Sequence, residues 1–243
     1  MLKASTRQRS RARGRVLYEL IDARTGKIIE RGKFHNIITR TGLGLWDTAL
    51  FTSPPNLIDT CKVGKGLTVP ADTDSALTSL VESKAISNLI TTNVTGATPY
   101  IIARTQFDED EAVVGGSDGI TEVGLFLSGS GAMFNHAFFG SGTITGATKA
   151  DPCVITCANH GLVDGQRVRI QSVGGMVELN NNLYYVDELS SSTFALYNDA
   201  ALSDTVDSTG FTTYTSGGTF IVSIPKTNTT ILVVRIEVQL ANA

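Results

Sequence analysis

Alternation of apolar and polar residues is clearest in the first and last structured runs of this chain. Residues 15–22 place Val16, Tyr18 and Leu20 on one face, and an Arg24-Thr25-Gly26-Lys27 turn leads into a second run over 28–34. Two such runs around a Gly-bearing turn predict a β-hairpin. Over residues 229–240, Leu232, Val234, Ile236, Val238 and Leu240 share one face, while Arg235, Glu237 and Gln239 lie on the other. That period of two predicts a half-buried antiparallel strand.

Between these runs the period changes once. Over residues 41–52, Leu43, Trp46, Ala49 and Leu50 fall at helical spacing, with Thr41 placed as N-cap and Trp46 on the core face. Gly42 and Gly44 weaken this helix, and Pro54-Pro55 ends it. A short strand follows at 60–64, then turn chemistry in Pro70-Ala71-Asp72-Thr73-Asp74 and a short helical piece around Leu77 and Leu80. Further strands are predicted at 84–92, 100–107, 120–127 and 132–139.

From residue 139 to 219 the texture differs. Gly140-Ser141-Gly142 and Ser216-Gly217-Gly218 flank a segment with its own strands at 153–157, 167–173, 183–188 and 193–198, and no helix. Matched flexible joints predict a small domain inserted into a surface loop, where insertions are best tolerated. The expected organisation is a basic arm (1–14), a discontinuous outer domain (15–140 plus 219–243) and an inserted domain (141–218).

Hydrophobic residues make up 42% of the 243, enough for a core, while charged residues are only 18%, which suits short strands and many turns. No apolar run approaches the roughly 18 residues of a membrane span, and no secretory signal is read at the N-terminus. Three cysteines make no disulfide framework, so a reducing assembly environment is expected. Lys3, Arg7, Arg9, Arg11, Arg13 and Arg15 stand in the first 15 residues without an acid, which leaves 14 cations against 23 acids, about −9, in the rest. An arm of this composition is expected to be disordered alone, and it reads either as a docking segment that orders on a partner of complementary charge or as a solubilising tail. The acidic body disfavours nucleic acid as a partner.

Candidate chemistry is sparse. Cys153, Cys157 and His160 supply three metal-type ligands, with Asp164 a weak fourth, but a structural zinc site needs four. Strand packing explains both cysteines, and no metal or cofactor is expected. Cys61 with His35 or His136 has no local support as a thiol nucleophile and reads as a small buried hydrophobe. Gly64-Lys65-Gly66 lacks the spacing of a phosphate loop. Asp108-Glu109-Asp110-Glu111 lacks the spacing and turn glycine of a calcium loop and reads as solvated. Tyr184, Tyr185, Tyr197 and Tyr214 suggest a sugar-stacking surface, although alternation turns at least half of them inward.

Two stretches resemble known families. Val63-Gly64-Lys65-Gly66, Pro70 to Leu77, Ile120-Thr121-Glu122-Val123-Gly124-Leu125-Phe126, Met133 to Ala137 and Pro225-Lys226-Thr227, in that order, resemble a group of small tail- or fibre-region proteins of tailed phages. Arg235 departs from the pattern, where an apolar or aromatic residue is usual. Residues 149–156, His160-Gly161-Leu162, Gly174-Gly175-Met176, Glu178-Leu179-Asn180, Tyr184-Tyr185-Val186 and Tyr214 to Gly218 resemble the small β-barrel named for the first catalytic-cysteine half-domain of ubiquitin-activating enzymes. That barrel also decorates phage virion proteins. No adenylation domain accompanies it within these residues, so ubiquitin chemistry is not implied.

The expected fold is all-β, an antiparallel β-sandwich or jelly-roll-like outer domain with one or two short helices and an inserted small β-barrel. The resemblances imply a non-enzymatic virion structural protein of the phage tail, collar or baseplate-fibre region. It would be assembled in the host cytoplasm and docked, as a homo-oligomer, to copies of itself and to adjacent tail, neck or baseplate proteins, with no membrane partner. The rival expectation is a receptor-binding module whose insert contacts a host surface glycan.

Overall fold

The computed structural model of the protein describes residues 11–49, 58–92, 100–115 and 118–241. Its first hairpin pairs β1 (Arg11–Asp22) with β2 (Ile28–Ile38). Asp22 closes the turn by accepting the Thr25 N–H and hydroxyl, each at 2.7 Å, and Gly26 takes the positive φ of +68° that the turn needs. The strand therefore starts at Arg11, inside the expected 1–14 arm, because residues 11–22 pair throughout with the last strand.

Next comes α1 (Arg40–Ala49). Its cap is Thr39 rather than Thr41: the Thr39 hydroxyl oxygen accepts the Gly42 N–H at 3.0 Å. Gly42 weakens helix propensity but is required by packing, since a Cβ there would lie 2.0 Å from the Phe134 carbonyl oxygen. The expected helix end at Pro54-Pro55 lies outside the described residues. β3 (Thr60–Gly64), β4 (Leu80–Ala85), β5 (Asn88–Thr92), β6 (Tyr100–Phe107), β7 (Glu122–Phe126) and β8 (Met133–Phe138) follow. No helix forms around Leu77. Residues 71–79 are turns and bends whose amides bond to Asp74 and Glu122, and Leu80 opens β4.

With the last strand, β16 (Thr230–Ala241), these strands make one antiparallel sheet in the order β4-β3-β7-β8-β2-β1-β16-β6-β5. The strand expected at 84–92 is broken at Ile86 and Ser87. Ile86 N–H donates to Asp59 and Ser87 N–H to Arg104, so two residues carry the chain from one edge of the sheet to the other. The sheet therefore curls on itself. β2 supplies the opposite corner, pairing with β1 up to Asn36 and with β8 at Ile37 and Ile38.

The second sheet comprises β9 (Ser141–Thr143), β10 (Gly146–Ala147), β11 (Val154–Thr156), β12 (Arg167–Gly174), β13 (Leu183–Ser190), β14 (Thr193–Tyr197) and β15 (Ser216–Val222). A short 3-10 turn, Val177–Leu179, interrupts a segment expected to hold no helix. The presumed flexible joints are strands: Gly142 faces Phe220 and Ser141 faces Ile221 across β9 and β15. The sheet thus runs past residue 218 to Val222. β9 and β10 occupy its two edges, and Ile144 and Thr145 between them bond to Gly218 and Thr156, which wraps the sheet into a barrel-like form. β16 (Thr230–Ala241) then returns between β1 and β6.

The fold is mostly antiparallel β with curled, sandwich-like sheets. Val16, Tyr18, Leu20, Leu232, Val234 and Ile236 fill the outer core on the predicted parity. That core is continuous with Val168, Phe194 and Phe220 of the second sheet, partly through Phe139, whose ring meets Tyr18 edge-on at 5.4 Å.

Candidate functional site

Three buried polar centres lie within or against the core. In the first, His136 on β8 lies between two carboxylates, with Nδ1 2.6 Å from Asp74 and Nε2 3.0 Å from Glu122. Glu122, on β7 and fully buried, also accepts the backbone N–H groups of Gly66, Ser79 and Thr78 at 2.9, 2.8 and 3.1 Å. Burial alone would lower the His136 pKa, but the two carboxylates outweigh it and raise the imidazole above its ordinary value. Burial likewise opposes ionisation of Glu122, yet His136 and the three N–H donors hold it below the usual range. Both ring nitrogens thus face carboxylates, an arrangement that favours the imidazolium form. It ties residues 65–79 onto the β7–β8 hairpin, and it offers no nucleophile.

The second centre surrounds Lys226, a fully buried cation. Its ammonium donates to the carbonyls of Glu109 at 3.1 Å and Thr227 at 2.8 Å. Burial pushes its pKa down, against the pull of the acids at 108–111. In that acidic run Asp108 and Glu111 both pair with Lys84. The run is a cap over two lysines rather than a cation loop.

The third centre joins the two sheets. Gln166 donates to the Tyr18 hydroxyl at 2.7 Å and to the Arg31 carbonyl at 3.1 Å, and Tyr18 donates to Glu30. Nearby, Arg167 donates to the carbonyls of Ser223 at 3.1 Å and Asp118 at 2.6 Å. Burial raises the Glu30 pKa to about 7 although Tyr18 and Arg167 pull it down.

His160 has both ring nitrogens engaged: Nε2 bonds the Ser190 carbonyl at 2.7 Å and Nδ1 accepts the Leu162 N–H at 3.1 Å. That pattern sets the Nε2–H tautomer and leaves no lone pair for a metal. Cys153 and Cys157 are buried, and burial raises both thiols. Among the described residues no cluster of three His, Cys, Asp or Glu is arranged to hold a metal. Cys61 sits in the outer core, its thiol pushed up to about 12 by burial, and His35 is exposed on β2.

Of the six arm cations, Lys3, Arg7 and Arg9 lie outside the described residues. Arg11, Arg13 and Arg15 belong to β1, with Arg15 exposed. The reading of the chain missed Asp74–His136–Glu122 because its members are far apart in sequence. Glu30 did carry a signal, since it falls on the core-facing parity of β2.

The family model of the ubiquitin-activating enzyme E1 FCCH domain matches residues 150–222. The second sheet is an FCCH-like module. The match ends at Val222, the last residue of β15. No curated protein sequence matches the chain. The FCCH-like module meets the outer sheet through Gln166, while Arg167 holds the Ser223 and Asp118 carbonyls and both module cysteines are buried.

Proposed function

We propose that the chain is a non-enzymatic structural subunit of a tailed-phage particle, in the tail, collar or baseplate-fibre region. It assembles as a homo-oligomer and docks to neighbouring virion proteins. The observation that carries this reading is the convergence of the motif residues. Gly66, Asp74, Glu122 and His136 come from four separated motifs of the tail-protein pattern, and they meet in one buried clamp. A clamp that fixes a loop to a hairpin is what a scaffold requires, and its polar atoms are saturated by the chain itself. The basic arm supplies a docking element for an acidic neighbour.

The glycan-binding reading has less support. Tyr184 is buried, Tyr185, Tyr197 and Tyr214 are half-buried, and the Tyr214 hydroxyl lies within hydrogen-bond distance of the Ile144 and Gly217 carbonyls, which share its one proton. None of the four tyrosines is fully exposed among the described residues. Immunogold labelling of tailed particles assembled with an epitope-tagged copy tests the proposal. Label at a fixed position on the tail or neck supports it, and particles without the chain overturn it.

A further inference from the structure

The net charge of −3 conceals a cationic sheet face. On the outward parity, Lys33, Leu17, Arg235 and Arg104 form one cross-strand row, and His35, Arg15, Glu237 and Ile102 form the next. Arg31 pairs in register with Glu19 in the row beyond. Five Lys and Arg thus face two Glu. Arg235 is neutralised by Glu19 at 3.2 Å, whereas Arg15, Arg31 and Lys33 are exposed and form no ion pair among the described residues. Two clefts of about 360 and 670 Å³ open along this face, the larger lined by Arg15, Lys33, His35 and Tyr100. β1 enters it through Arg11 and Arg13, so the basic arm leads into the same sheet.

The complement lies in the same chain. Residues 141–222 hold eight acids against three cations, a net of −5. Glu178 and Asp207 line a cleft of about 370 Å³ together with Asn198. Asp199 and Asp204 flank it: Asn198 N–H donates to the Asp204 carbonyl, and Asp199 accepts from Ser203 and Asp204. Thr212 and Thr209 hydroxyls fix the Glu178 and Asp207 carboxylates, so the acids are held in place before any partner arrives.

We infer that the cationic face of one copy receives the acidic pole of the FCCH-like module of a second copy. The contact is head-to-tail, because donor and acceptor patches differ, and it propagates into a ring or a filament. It deepens, and rests on, the tail-subunit reading. A protein partner fits the face better than nucleic acid does, because Glu19 and Glu237 stand within it and Leu17 and Ile102 interleave with the cations.

Sedimentation velocity from about 50 to about 500 mM salt tests this, since screening tightens over that range. The parent should associate at low salt and dissociate as salt rises. A face variant (Arg15→Glu, Lys33→Glu) and a pole variant (Asp199→Lys, Asp207→Lys) should each associate at least tenfold more weakly. Each should keep the parent's circular dichroism and melting temperature. Mixing the two should restore a complex, because the reversed face then meets the reversed pole. A parent that stays monomeric at every salt, variants that associate like the parent, or a mixture that stays apart overturns the inference. So does retention of a single-stranded oligonucleotide by the face without self-association. A chain that is monomeric alone yet enters particles overturns the self-contact and leaves the tail-subunit reading standing. One that oligomerises as described but is absent from particles supports the contact and removes that reading.

Discussion

Gln166 of the FCCH-like module reaches into the outer sheet and donates to the Tyr18 hydroxyl at 2.7 Å. Both residues are buried, so the bond is sheltered from competing water. Gln166→Leu should cost about 1–3 kcal/mol, the range for leaving buried partners unsatisfied. Because the core runs unbroken between the sheets, the variant should still unfold in one cooperative urea transition. Two resolved transitions would show that the module and the outer sheet are energetically separate.

Glu30 makes the same junction sensitive to pH. Its carboxyl is raised by burial to about 7. A carboxyl raised in the folded state contributes stability that is complete below its unfolded pKa, near 4.5, and is lost as pH rises through about 7. The loss is roughly 3 kcal/mol by the usual conversion. Glu30→Gln should flatten the urea midpoint across this window, and a parent whose midpoint does not fall between pH 5 and pH 8 would refute the assignment.

The His136 clamp has the opposite signs on its two sides. The raised imidazole contributes stability that is present below its unfolded pKa and lost as pH rises through the folded one. Glu122 and Asp74, both lowered, contribute stability that is lost as pH falls through their folded values. Hydrogen-exchange protection of residues 65–79 should therefore be greatest in mildly acidic solution and weaken on either side. His136→Ala leaves Glu122 buried without its cation and should cost about 3–5 kcal/mol. Unchanged protection in that variant would mean the loop is held by other contacts.

Gly142 tests the module's closure. A Cβ there would lie 2.6 Å from the Phe220 ring and 2.7 Å from the Cys157 sulfur. Gly142→Val should destabilise the protein by about 1–3 kcal/mol through overpacking, read as a lower melting temperature. A neutral outcome would mean that β9 can detach from β15.

Much of the outer fold was legible because β1 and β16 turn one face to the core, which imposes a period of two on them, whereas β7 and β8 are buried at every position. The joints were not. Gly and Ser carry no alternation, so β9 and the start of β15 look like linkers even though their backbones pair. Gly42 misled in a different way, since its value lies in the Phe134 backbone it lets α1 approach. Of the buried centres, only Glu30 left a sign in the strand parity, and that sign went unread, while Asp74, Glu122 and His136 become neighbours only in the folded chain. The cationic face was hidden for the same reason: net charge sums over the two faces that register separates.

We propose that this chain is a building block of a tailed particle. An electron-microscopy map of intact particles is the decisive measurement. It should show repeating copies in the tail, collar or baseplate-fibre region, each with the β1 end and its basic arm against an acidic neighbouring surface. Particles whose map accounts for every subunit without this chain would contradict it.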